Sequence, residues 1–233
     1  MSDTMKIEDY LAQGGVLSSP ENAAGFADMI NAGPGIKERI AASKIVLEKT
    51  DNADKVLKIM GDFGANRAKY ASHHPWTARL PRDADIGATR VDADMRLSVF
   101  NYPLQGWQDS VVMNLLMGRA VVVQLQEFSR VSYQPLAEAF RSILPIETRH
   151  AELAAEGLER LQEAGADKNS LQESVTYWWP RVSASFGSSA SERTANLRAF
   201  GLRHQENSDL RQSWVESVTA DLGNLGLTAP DAG

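Results

Sequence analysis

The sequence contains no cysteine, which excludes disulfide bonds, zinc–thiolate sites and a cysteine-ligated iron–sulfur cluster within this chain. Histidine is also scarce, and the four histidines are His73, His74, His150 and His204. His73 and His74 stand beside Pro75 and Trp76, a setting typical of surface or packing residues rather than of ligands. A metal site in this chain would therefore depend on carboxylates together with very few imidazoles.

A basic patch is missing as well, and the formal net charge of the 233 residues is −6, which argues against nucleic acid as a partner. The N-terminus, MSDTMKIEDYLAQGG, has no basic region followed by an apolar run, so it does not resemble a signal peptide. Polar residues interrupt the apolar segments before they reach membrane-spanning length. These features predict a cytoplasmic protein that does not bind a membrane.

Strand-like alternation of apolar and polar residues is scarce. The composition, 43% hydrophobic and 23% charged, suits a globular chain with a sizeable core. We therefore expect an all-α fold in a single domain that spans residues 1–233. The apolar periodicity predicts five main helices, at Ile36–Met60, Trp107–Arg130, Leu136–Ala164, Leu171–Tyr177 and Glu192–Leu222.

The chain begins with an N-terminal segment, residues 1–22, and the first helix after it is predicted to be short. Pro20 and the Gly33-Pro34 stop leave room only for a helix from Ala23 to Ile30. A bundle must bury every apolar stripe, and so short a helix cannot cover a central one. We therefore expect that residues between Pro20 and Ala23 are missing from this sequence.

The segment Trp107–Arg130 is the most apolar of the predicted helices. Apolar residues occur nearly all round it, which predicts a central bundle element. Gly118 and Arg119 lie at its middle. The glycine indicates close packing against another helix, and the arginine needs an acidic partner or a path to water.

The motif Glu147-x-x-His150 lies on the next predicted helix. Residues three apart project from one helix face, so a carboxylate and an imidazole at this spacing can hold the same ion. Ferritin-like di-iron bundles use two such motifs together with further carboxylates. Taken alone, the motif also fits a solvated pair on a helix surface.

A polar cluster, Glu48 to Asn52, interrupts the apolar rhythm of the predicted helix Ile36–Met60. A cluster at this place either faces solvent, which the sequence favours slightly, or points inward at a site. The two interpretations differ in which side chains of the cluster are buried.

Several short segments between Met29 and the C-terminus carry a resemblance in their order and spacing. They are Phe100-Asn101-Tyr102-Pro103 with Trp107 and Asp109, Ser132-Tyr133 with Pro135 and Glu147-x-x-His150, Trp178-Trp179-Pro180, Phe186-Gly187, Leu210-Arg211-Gln212, and Gly226-Leu227-Thr228 with Pro230-Asp231. Together they resemble the catalytic-component family of bacterial phenylacetyl-CoA epoxidases, multicomponent di-iron monooxygenases of phenylacetic acid catabolism. The resemblance implies a ferritin-like four-helix bundle with extra C-terminal helices. Residues 171–233 would form a helical arm packed on that bundle.

The resemblance also implies where the ligands of a di-iron site would lie. Glu147 and His150 match the family's final Glu-x-x-His and would face inward. Three further ligand positions would fall on Lys49, Asn52 and Gly118. A first-helix glutamate should lie a little upstream of Ala23, where the chain offers only Ser19, Pro20, Glu21 and Asn22. A shift of the second bundle helix by one residue would instead offer Glu48 and Asp51 as metal ligands.

These positions predict a degenerate di-iron site, and hence a non-catalytic subunit or paralogue with a structural or interaction role. We expect no metal, or a single weakly bound ion on Glu147 and His150. The alternative is an active di-iron monooxygenase component that acts on an aromatic acyl-CoA. A third interpretation is a binding module that keeps an acyl-CoA pocket without the oxidation chemistry.

Association with a second bundle is the last expectation. The central helix and the tryptophan-rich arm, residues 171–233, carry more apolar surface than one small bundle easily hides. We therefore expect a homodimer, or a complex with a related bundle subunit, that buries part of the arm.

Overall fold

The computed structural model describes residue 27 and residues 29–64, 80–85, 97–188 and 192–230, without the side chains of residues 192–195. The N-terminal segment 1–22, the expected loss of residues between Pro20 and Ala23, and the pair His73 and His74 lie outside these ranges. The chain divides into two compact units, Met1–Leu104 and Gln105–Gly233. The single-domain expectation for residues 1–233 stays a prediction.

The first unit contains helix α1, Ile36–Asp62, which agrees with the predicted Ile36–Met60. A short 3-10 helix, Ile30–Ala32, precedes it, and a second one, Ser98–Asn101, lies near the end of the unit. The backbone N–H of Leu80 donates to the carbonyl of Asn101 at 2.8 Å. The unit therefore joins segments that are distant in sequence.

Helix α1 has a buried stripe along one side. It recurs every three or four residues and consists of Ala42, Ile45, Val46, Lys49, Asn52, Ala53, Val56 and Leu57. Three apolar residues lie on another side and are exposed: Ile36 (76%), Ile40 (62%) and Leu47 (56%). The apolar periodicity of α1 thus mixes buried and solvent-facing positions.

The second unit consists of helices and connecting turns. The helices are α2 (Gly106–Phe128), α3 (Gln134–Glu163), α4 (Lys168–Ser183), α5 (Glu192–Ala199) and α6 (Asn207–Asn224), with a 3-10 turn at Ala184–Phe186. Helix α2 is the central element and packs against α3, α4 and α6. The described residues contain no strand, and the expected all-α, ferritin-like class of helical bundle is confirmed.

Tryptophans of the C-terminal helices pack directly on α2. Trp178 and Trp214 are fully buried, and the Trp214 Nε1–H donates to the carbonyl of Leu116 at 2.9 Å. The ring centroids of Trp179 and Trp214 lie 4.6 Å apart. These aromatic side chains therefore lie inside the second unit. They do not form the exposed apolar surface on which we based the expected association.

Two C-terminal helices differ from their predicted bounds. Helix α4 does not stop before Trp178 but continues past it, with Pro180 inside the helix. Burial of two tryptophans offsets the backbone hydrogen bond that a proline removes. The predicted helix Glu192–Leu222 is broken at Gly201, whose φ of +66° favours glycine. A capping box between Glu206 and Asp209 then starts α6.

Among the described helices, α2 alone is long and apolar enough to cross a membrane by length and composition. The prediction that no apolar segment reaches this length is wrong for α2. Of the 18-residue apolar stretch of α2 that meets this criterion, 78% is buried, as expected for the core helix of a bundle. Such a helix is weak evidence for a membrane span.

Candidate functional site

The candidate site is the pair Glu147 and His150 on α3. Both side chains are buried, at 0% and 4% exposure, and Nδ1 of His150 lies 3.4 Å from Oε2 of Glu147. The interpretation of this motif as a solvated surface pair is therefore wrong. The spacing of three residues places the two groups on one helix face, where a carboxylate and an imidazole can bind one ion together.

Pro145 lies inside α3, two residues before Glu147, and the sequence-based prediction of the site did not use it. A proline within a helix removes one backbone donor and commonly bends the helix. Thr148 adds a second local perturbation, since its hydroxyl donates to the carbonyl of Leu144 at 2.8 Å. The signal was present in the sequence as Leu-Pro-Ile-Glu, the residues that lead into the motif.

Gly118 of α2 contacts α3 immediately after the candidate pair. A Cβ atom built on Gly118 would lie 3.2 Å from the Cβ of Ala151 and 3.3 Å from its Cα. Close helix packing, which the sequence predicted for Gly118, is confirmed. The residue after His150 is thus in direct contact with the middle of α2.

The carboxylates of α2 lie near its two ends, Asp109 and Glu127. At 1.5 Å per residue, each is roughly 13 Å along the helix axis from Gly118. The Asp109 carboxylate accepts hydrogen bonds from Trp178 Nε1 at 2.9 Å and from the Ser174 hydroxyl at 3.0 Å. The middle of α2, opposite the candidate pair, has no acidic residue.

Glu127 is fully buried and holds the loop before α6. Its carboxylate accepts from the backbone N–H groups of His204 and Gln205, and from the Arg130 guanidinium at 2.7 Å. Burial raises the pKa of Glu127, but these hydrogen bonds outweigh burial, and the net pKa lies below its ordinary value. Glu127 is therefore an ionised structural carboxylate.

Arg203 lies beside this carboxylate. Its guanidinium donates to the side-chain oxygens of Asn207 at 2.6 Å and Gln124 at 3.3 Å. Burial lowers the pKa of Arg203, and the negative charges of Glu127 and Glu206 oppose that effect. His204 has its Nδ1 3.7 Å from the same Glu127 carboxylate and serves this cluster.

In the first unit, the polar cluster from Glu48 to Asn52 in α1 has buried and exposed members. Lys49 and Asn52 are each only 2% exposed, whereas Asp51 is exposed. The Glu48 side chain is 33% exposed and lies 3.6 Å from the ammonium of Lys44. The buried face is therefore the one with lysine and asparagine, and the shifted register that would turn Glu48 and Asp51 inward is not adopted.

The donor set can be compared with the needs of a di-iron centre. Two iron ions need bridging and terminal carboxylates with imidazoles, drawn from several helices. Within the described residues, no three side chains of His, Cys, Asp or Glu are grouped so that they could hold a metal ion. Within these ranges, Glu147 with His150 supplies two donors on one helix face.

Comparison with known proteins identifies the family. Residues 23–233 match the family described as "Phenylacetic acid catabolic protein". The chain is also similar to a component of the 1,2-phenylacetyl-CoA epoxidase of Escherichia coli (strain K12), with 32% identity over 152 residues. That match covers 63% of this chain and 49% of the relative, so the chain spans about half the length of the curated relative it matches. With the family match over most of its length, this chain belongs to the phenylacetic acid catabolic protein family.

Proposed function

We propose that this chain is a non-catalytic subunit or paralogue within phenylacetic acid catabolism, with a degenerate di-iron site. The observation that carries the proposal is the donor set. Glu147 and His150 are the two family ligand positions that keep metal-binding side chains, whereas Gly118 has no side chain. The role that remains is structural, or is exercised through binding to a partner.

The chemistry of the substituted positions supports this proposal. A lysine at a ligand position donates hydrogen bonds and carries positive charge, so Lys49 disfavours a cation. An asparagine oxygen is a weaker iron ligand than an imidazole, which makes Asn52 a poor substitute. With two good donors, the site would hold at most one weakly bound ion.

The alternative is an active di-iron epoxidase component that acts on an aromatic acyl-CoA, using O2 and electrons from a separate reductase. The similarity to the E. coli relative, a component of a phenylacetyl-CoA epoxidase, favours it. Because the described residues do not supply the ligands, this function would require ligands from the remaining residues or from another chain. Metal content separates the two functions.

The decisive experiment is elemental analysis of the full chain expressed with added iron. We expect far less than two irons per chain in the wild type, and any bound ion should be lost in Glu147→Ala. Glu152→Ala is a matched control, because Glu152 lies on the same helix with its side chain 48% exposed and pairs with Arg149. Two irons per chain, lost in Glu147→Ala and kept in the control, would reject the degenerate site and restore the oxygenase.

We further propose association with a second copy or with a related bundle subunit. The support is the exposed apolar side chains of α1, Ile36, Ile40 and Leu47, because the tryptophans of the arm are buried within their own unit. Light scattering at micromolar concentration tests the homodimer, and a clean monomer would count against it.

A further inference from the structure

We infer that the packing of α2 against α3, and not only the loss of ligands, keeps a dinuclear metal centre out of this bundle. The inference rests on the proposed function and adds a physical cause to it. The observation is the contact of Gly118 with Ala151, the residue that follows His150. A Cβ on Gly118 would approach Ala151 Cβ to 3.2 Å and Ala151 Cα to 3.3 Å.

A second close contact lies further along the same helix pair. A Cβ built on Gly157 of α3 would lie 3.2 Å from Cγ1 of Val111 in α2. From Gly118 to Val111 the numbering falls along α2, whereas from Ala151 to Gly157 it rises along α3. The two helices are therefore antiparallel and closely packed along this strip, with a glycine at each contact.

The contact at Gly118 is harder to relieve than the contact at Gly157. The Val111 methyl group near Gly157 belongs to a side chain that can rotate. The atoms near Gly118 are the Cα and Cβ of Ala151, which move only if the helix backbone moves. A Cβ at position 118 would therefore require the backbones of α2 and α3 to separate by a few tenths of an ångström.

The steric conflict at position 118 would affect an acidic residue there whatever its charge. An aspartate at position 118 has its Cβ where an alanine would have it, in the same contact with Ala151. The acidic residues that α2 does carry lie at its ends, where Asp109 binds α4 and Glu127 binds the loop before α6. In its present packing, α2 meets α3 beside His150 at Gly118, a position without a side chain.

Restoring ligands alone is therefore expected to fail. The direct reconstruction on α2 would be Gly118→Asp, which supplies a carboxylate but meets the α3 backbone at Ala151. The inference predicts that Ala151→Gly must accompany Gly118→Asp, since removal of the Ala151 Cβ is the smallest change that opens the contact.

The contact is tested by a double-mutant cycle in the full chain, with Gly118→Ala, Ala151→Gly and both together. Gly118→Ala should lower the melting temperature by roughly 3 to 10 °C. In the double variant, much of that loss should be recovered, which gives a coupling between the two positions. Gly223→Ala is the matched control, because Gly223 is helical with no atom within 4 Å of an added Cβ. It should leave the melting temperature unchanged or raise it.

The metal is tested with Gly118→Asp and with Gly118→Asp combined with Ala151→Gly, by melting and by elemental analysis after expression with iron. The single variant should be less stable than the wild type and gain no iron, and the second change should recover stability. A Gly118→Asp protein as stable as the wild type that gains iron would overturn the inference. So would a Gly118→Ala protein that melts no lower than Gly223→Ala.

The outcomes separate this inference from the proposed function. Two irons in the wild-type chain would reject both. Low iron in the wild type with no coupling between positions 118 and 151 would leave the proposed function standing and reject only the packing argument. If Gly118→Asp does not yield soluble protein, the alanine cycle still decides the contact.

Discussion

The middle and the ends of α2 hold their neighbours by different means. At the middle, Gly118 lets α3 approach until backbone and Cβ atoms of Ala151 are in contact. At the ends, the buried carboxylates of Asp109 and Glu127 bind the C-terminal helices and loop through several hydrogen bonds each. Packing at the middle of α2 requires a residue without a side chain, whereas packing at its ends requires charged side chains.

The comparison shows that a buried carboxylate in this bundle is not by itself a sign of metal chemistry. Asp109 and Glu127 are buried, as Glu147 is. Their oxygens are directed at indole, hydroxyl, guanidinium and backbone donors. These donors account for the burial of Asp109 and Glu127 without a metal ion.

The largest effect expected at the ends of α2 is that of Asp109→Ala. The change leaves the Trp178 indole N–H, the Ser174 hydroxyl and the Gln105 backbone N–H without their acceptor. We expect the free energy of unfolding to fall by roughly 3 to 4 kcal/mol, because buried donors left unpaired are costly. Urea denaturation monitored by tryptophan fluorescence measures it.

Two controls sharpen this result. Asp109→Asn keeps one acceptor oxygen and should lose about half as much. Asp221→Asn removes a partly exposed carboxylate that pairs at 2.6 Å with Arg119 of α2, and should cost roughly 1 kcal/mol. An Asp109→Ala protein no less stable than Asp221→Asn would contradict the role given to this end of α2.

A smaller, pH-dependent effect is expected at the other end, for Glu127→Gln. Burial raises the pKa of Glu127, but its hydrogen bonds lower the pKa by more, so in the folded state the pKa lies below the ordinary value of 4.5. The stability that ionised Glu127 contributes is therefore complete above about pH 4.5 and is lost as the pH falls through the folded-state pKa. The amide turns a donor toward Arg130, which should cost roughly 1 to 3 kcal/mol at neutral pH.

Denaturation of wild type and Glu127→Gln from pH 7 to pH 3 checks this prediction. The difference in unfolding free energy between the two proteins should be constant at neutral pH and should shrink on the acid side. A difference that grows with acidification would show that Glu127 is not the low-pKa group. Glu152→Gln, at an exposed position of α3, controls for the general effect of losing one charge.

Periodicity in the sequence was enough to predict the long helices. The bounds of α1, α2 and α3 agree with the predicted ranges to within two residues, because apolar spacing and stop signals are local properties. The resemblance also led to the family, which the match over residues 23–233 confirms. The predictions failed where distant residues outweighed local signals, as at Pro180, where burial of Trp178 and Trp179 keeps the helix intact.

The sequence by itself determined the helical class, the long helices, the family, and the glycine and arginine at the centre of α2. It also showed that position 118 lacks a carboxylate. Only the tertiary structure decided which face of α1 is buried, that Asp109 binds α4 and Glu127 binds the loop before α6, and that Ala151 packs against Gly118. The physical reason is that periodicity records which side of a helix is apolar, whereas a hydrogen-bond partner or a contact of 3.2 Å depends on a second helix far along the chain.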